Sequence, residues 1–107
     1  MSLCRLIEAV EAGAIALHDL DAFIPVFGLN AQGNDALDAY RGSIDAAKRL
    51  HDALLPGWEW HLGPSNAKIY PYNGSPLRSW SGMADNAARA WLLAILRAKN
   101  EQSTNQE

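Results

Sequence analysis

Cys4 is the only cysteine in the 107 residues, so the chain can form no internal disulfide. That fits a reducing compartment, and Cys4, set among Leu3, Leu6 and Ile7, reads as a small apolar helix residue. No apolar run approaches the ~18 residues that a membrane span needs, and residues 1–5 do not have a signal-peptide pattern. A cytoplasmic protein with no membrane contact is expected. Basic side chains are also few: nine Lys and Arg against twelve Asp and Glu give a net charge of −3. Backbone binding of nucleic acid needs clustered Lys and Arg, so no nucleic-acid partner is expected. Glycine-rich phosphate loops are missing, and no serine lies in a nucleophile elbow. These absences argue for a protein that is not an enzyme, with no cofactor and no metal.

What remains is pattern. Leu3, Leu6, Ile7, Val10, Ala14 and Leu17 recur at helical spacing, which predicts a helix over residues 3–13. Asp19 or Asp21 can cap a short second helix over residues 22–27, with Pro25 in its first turn and Gly28 as its stop. Residues 30–35 are polar and read as a loop. Asp35 then looks like an N-cap, and Leu37, Tyr40, Ile44, Ala47, Leu50 and Leu54 predict one long helix over 36–55.

The β signal follows Pro56 and Gly57. Trp58, Trp60 and Leu62 alternate with Glu59 and His61, as in a half-buried strand. Residues 63–66 form a turn. Ala67, Ile69 and Pro71 then alternate with Lys68, Tyr70 and Tyr72, and a short third strand is expected over 77–80. A last helix is predicted over 83–98, with Met83, Ala87, Trp91 and Ile95 in its core stripe. Residues 99–107 are polar and expected to fray. The fold class is therefore α+β: one domain over residues 1–98, a three-stranded antiparallel meander packed against about four helices as an α-β-α sandwich.

Alternation also divides the strand side chains between two faces. Trp58, Trp60, Leu62, Ala67 and Ile69 should face the helices. Glu59, His61, Lys68, Tyr70 and Tyr72 should share the other side, with Arg78 and Trp80 near enough in sequence to extend it. An ordinary solvated sheet face has this look. So does a binding surface, because aromatic and cationic groups together hold planar anions. The candidate ligand-binding residues are His61, Lys68, Tyr70, Tyr72, Arg78 and Trp80.

Other clusters are weaker. His18 with Asp19 and His51 with Asp52 resemble paired metal ligands of phosphohydrolases, but no further helical histidine completes a set. His51 is better read as a helix residue bordering the core. Glu8 and Glu11, one turn apart, read as a solvated helix face.

The order of elements resembles the phage ABA sandwich domain family. The likeness covers residues 3–99. It is carried by the helix containing residues 43–47, by the strand Gly57, Trp58, Glu59, Trp60, and by residues 84–90 leading into the Ala/Leu-rich last helix. The resemblance implies a phage origin and an α+β sandwich, with no settled site residues. It implies an accessory protein that disarms host defence, most concretely by sequestering a nucleotide second messenger in the host cytoplasm. The alternative is an inhibitor that binds a host defence protein, or an assembly accessory. A homo-oligomer is expected, since a small sheet with an exposed aromatic face invites self-association.

Overall fold

The computed structural model describes residues 3–13, 15, 23, 27, 31–70 and 79–105. Among them the chain forms helix α1 (Leu3–Ala12), α2 (Ala31–Tyr40) and α3 (Ile44–Leu54). Strands β1 (Glu59–Leu62), β2 (Asn66–Tyr70) and β3 (Trp80–Met83) follow, and then helix α4 (Ala87–Asn105). The strands lie in the order β1-β2-β3, antiparallel throughout. This is a small α+β single domain. The short helix expected at 22–27 lies mostly outside the described residues, although Phe23 and Phe27 are buried and the Phe27 N–H donates to the Phe23 carbonyl at 2.9 Å. Pro71 and Tyr72, expected at the end of the second strand, lie outside them altogether.

The core is organised around α4. Residues 90–96 of that helix are all buried, so it has no solvent face over nearly two turns. A helix apolar all round must be enclosed. Sheet strands β2 and β3 cover one side, and α1, α2 and α3 cover the rest. Ala88, Ala90, Ala94 and Ala98 keep the helix narrow enough for these neighbours to approach. Asn86 caps it, its side-chain oxygen accepting from the Arg89 N–H at 2.8 Å. The described helices cover a single face of the sheet, so these residues make two layers. The second helical layer of an α-β-α sandwich is not among them.

Three side chains, Tyr40, Arg89 and Arg97, tie the elements together. The Tyr40 hydroxyl, buried at the end of α2, donates to the Ile15 carbonyl at 2.8 Å and accepts from the Ile15 N–H at 3.2 Å. Arg89 on α4 lies 4.0 Å over the Tyr40 ring and donates through Nε to the Tyr40 carbonyl at 2.9 Å. Arg97, further along α4, donates to the Ser81 carbonyl of β3 at 2.6 Å and to the Glu11 carboxylate of α1. Glu11 is thus an ion-pair partner and not merely a solvated residue.

Several sequence expectations are corrected. The helix expected from residue 36 begins already at Ala31, so residues 31–35 are helical where a polar loop was expected, and Asp35 sits inside the helix, its carboxylate 3.1 Å from Arg49 Nε. The single helix expected over 36–55 is two helices. Gly42, at φ +114°, ends one, and Ser43 starts the next, its Oγ accepting from the Ala46 N–H at 3.2 Å. Ile44 therefore falls at a helix start and is exposed, not core. The third strand occupies 80–83 rather than 77–80, so Met83 belongs to a strand and is 72% exposed. The last helix starts at Ala87 and runs on to Asn105 through the segment expected to fray.

Gly82 explains how β3 lies so close to α4. A Cβ at this position would overlap the Ala90 carbonyl oxygen and press to 2.9 Å on Leu93 Cβ. The obstacle is helix backbone, which cannot swing aside. Gly82→Ala should therefore destabilise by at least the roughly 1–3 kcal/mol typical of overpacking. Ser81→Ala, one residue away on the exposed face, should be nearly neutral. Urea unfolding of the two variants measures this, and equal midpoints would contradict the close approach.

Candidate functional site

The pairing register decides which side chains meet. Glu59 lies opposite Tyr70, Trp60 opposite Ile69, and His61 opposite Lys68, which in turn lies opposite Ser81. Successive residues on a strand point to opposite faces. The outer face therefore carries Glu59, His61, Lys68, Tyr70 and Ser81, with Asn66 and Met83 at one end. His61, Lys68 and Ser81 form a row across all three strands, and all are exposed.

Within this face His61 and Tyr70 form a flat pair. Their ring centroids are 5.6 Å apart with an 18° interplanar angle, and His61 Nε2 lies 2.8 Å from the Tyr70 hydroxyl. Partial burial raises the Tyr70 phenol above its ordinary value of 10.0, and the Glu59 carboxylate opposite adds to the rise. The phenol thus keeps its proton at neutral pH. Among the described residues Lys68 has no carboxylate within ion-pair distance, unlike Lys48, which is held by Asp52 at 2.7 Å. The face therefore presents a two-ring platform beside a free ammonium.

The structure brings together His61, Lys68 and Tyr70 from the expected set. Tyr72 and Arg78 lie outside the described residues. Trp80 is on the wrong side to join them. The register places it opposite Ile69, on the helix-facing side, where its ring lies 5.2 Å from that of Trp58. Proximity in sequence misled here, because the alternation puts Ser81, not Trp80, beside Lys68.

The inner face holds a second polar feature that the sequence did not reveal. His51 on α3 is fully buried between Trp60 and Trp91, at centroid distances of 5.2 and 5.5 Å, and the two indoles stack on each other at 5.3 Å. Trp91 Nε1–H donates to His51 Nδ1 at 3.2 Å, and His51 Nε2 lies 3.0 Å from the Trp58 carbonyl. An indole can only donate, and a carbonyl can only accept. The imidazole is therefore neutral, with its proton on Nε2. Burial lowers its affinity for a second proton from the ordinary value of 6.5.

Both ring nitrogens of His51 are engaged, so it cannot ligate a metal. Its neighbour Asp52 points to solvent and pairs with Lys48. His18 and Asp19 lie outside the described residues. Among the described residues no group of three or more His, Cys, Asp or Glu side chains is placed to hold a metal ion, and no helix is long and apolar enough to cross a membrane. No family model, curated protein or solved structure matches the chain.

The lowered proton affinity of His51 has a sign. In the unfolded chain the imidazole takes up a proton as the pH falls below 6.5, while in the fold it resists. The unfolded state then binds more protons, so stability is complete above that value and declines as the solution is acidified below it, by up to about 1.4 kcal/mol per pH unit. It levels off once the folded imidazole also titrates. His51→Phe should be less stable at neutral pH but should lose less on acidification. Urea unfolding between about pH 5 and pH 7 compares the slopes, and identical slopes would remove His51 as the source.

Proposed function

We propose that the chain is a non-enzymatic binding protein of phage type, an anti-defence factor that holds a nucleotide second messenger on the outer face of its sheet. One observation carries this reading: the stacked His61–Tyr70 pair lies beside the unpaired Lys68 on a face that no described helix covers. A base stacked on aromatic rings gains roughly 1–3 kcal/mol, and an ammonium beside it takes a phosphate oxygen. Ser81, next in the row, offers a hydroxyl to the sugar or phosphate. A single lysine on a small face suits one compact anion better than a polymer backbone. The phage setting rests on the strand Gly57 to Trp60 and the Ala-rich last helix, which resemble phage ABA sandwich proteins. The binding reading is also supported by the inner cluster, where His51 is committed to packing.

A second reading is that the same face inhibits a host defence protein. Met83, 72% exposed at the end of the face, favours it, since a flexible apolar side chain suits a protein contact.

Thermal melts of the purified protein against a panel of cyclic dinucleotides and cyclic ADP-ribose compounds separate the two. The expected result is a rise in melting temperature with one compound, recovered intact after denaturation. Lys68→Ala and Tyr70→Ala should fold as the parent does, because both side chains are at the surface, and should each weaken binding about tenfold or more. A melt unmoved by every compound, with one host protein held through Met83 and released by Met83→Asp, would replace the nucleotide reading with the inhibitor. A cleaved nucleotide would replace both with a hydrolase.

A further inference from the structure

The two edges of the sheet differ in a way that the fold does not require. The β1–β2 hairpin closes with the Gly63 N–H donating to the Asn66 carbonyl at 2.9 Å. Antiparallel pairing then alternates, so Glu59 and His61 exchange ladder bonds with β2 while Trp60 and Leu62 turn their N–H and C=O groups outward. On the far side the Ala84 N–H donates to the Ser65 carbonyl, so Ser81 and Met83 of β3 face outward. The β3 edge is blocked at Ser81, whose carbonyl takes the Arg97 guanidinium. On the β1 edge the Trp58 carbonyl is taken by His51, and its N–H by the Leu55 carbonyl at 3.1 Å. The outward groups of Trp60 and Leu62 have no hydrogen-bond partner among the described residues.

We infer that the β1 edge is a homodimer interface: two copies pair β1 antiparallel about a two-fold axis at His61, joining two three-stranded sheets into one of six strands. The open groups select this register. Centred on His61, both groups of Trp60 meet both groups of Leu62 of the second copy, and the reverse, so every open group finds a partner. Centred on Trp60, Leu62 would face Trp58 of the second copy, whose backbone groups are already bonded within the chain. Side chains agree with the first register. On the inner face Leu62, 37% exposed, comes to lie against Trp60 of the second copy. On the outer face Glu59 lies opposite Gly63 of the second copy, which has no side chain to keep the carboxylate from leaning over to the imidazole of His61 there. The occupant is a second copy because the edge is complementary to itself in hydrogen bonds and in apolar contact.

This inference does not depend on the nucleotide reading, because it is read by mass and not by ligand. Native mass spectrometry and light scattering on the full chain at micromolar concentration should give twice the monomer mass. Leu62→Pro removes only an outward N–H, which an edge strand tolerates, and should yield a folded monomer. Met83→Pro removes an outward N–H on the other edge and should remain a dimer. If Leu62→Pro fails to fold, amide exchange on the parent decides: the Trp60 and Leu62 amides should be slow in the dimer and fast on dilution. A monomeric parent, a dimer that survives Leu62→Pro, or amides at 60 and 62 that exchange equally at all concentrations would overturn the inference.

Discussion

Enclosing α4 is the constraint on which the rest of the structure depends. Residues 90–96 leave that helix no polar face, so every other element is placed by the need to cover it. The sheet does so at close range, which demands a glycine at position 82. The helices approach α4 over its own alanines and Trp91, whose indole N–H is carried into the interior. His51 exists to answer it. The buried imidazole accepts from Trp91 and joins the carbonyl of Trp58, so one side chain satisfies the hub helix and ties it to the start of the sheet.

This commitment of the inner face leaves the outer one free. The same alternation that sends Trp60 and Ile69 under the helices lifts His61, Lys68 and Tyr70 into solvent. The two aromatic groups on either side of the sheet serve different ends. Trp91 is hydrogen-bonded to His51 and both rings pack against Trp60, so the three hold the fold. His61 and Tyr70 are bonded to each other, with the Glu59 carboxylate also hydrogen-bonded to the Tyr70 hydroxyl, and the group lies on the outer face. Cross-strand ring pairs support a sheet in their own right, and the contrast with the packed inner rings is what motivates the ligand proposal for that side.

The strand pattern was legible because period-two alternation over residues 58–70 has a single interpretation. It correctly separated Trp60 from His61 and Ile69 from Tyr70. The helical region was harder. Ile44 continues the spacing set by Leu37 and Tyr40, which hid the break at Gly42 and Ser43, although a glycine followed by a serine is a stop and a cap in sequence. Residues 30–35 were read as a loop because they are polar and include Gly33 and Asn34, which are poor helix formers, and burial of Ala36, Leu37, Ala39 and Tyr40 in the same helix overrides that local weakness. The third strand was expected over 77–80 and the last helix from 83, so Gly82 was left outside both, although it lies in the middle of β3. Only the close approach of α4, invisible in a linear pattern, tells a strand glycine from a turn glycine. The partners of His51 were out of reach for the same reason, since Trp91 is distant in sequence.

Arg97 bears on assembly as well as on packing. By binding the Ser81 carbonyl it occupies one outward group on the β3 margin of the sheet, and Glu11 holds the guanidinium in place. A sheet with two open margins can add copies without end and grow into a fibre. With the Ser81 carbonyl taken, the β3 margin offers a further strand fewer open groups than the β1 margin does, which disfavours continued growth on that side.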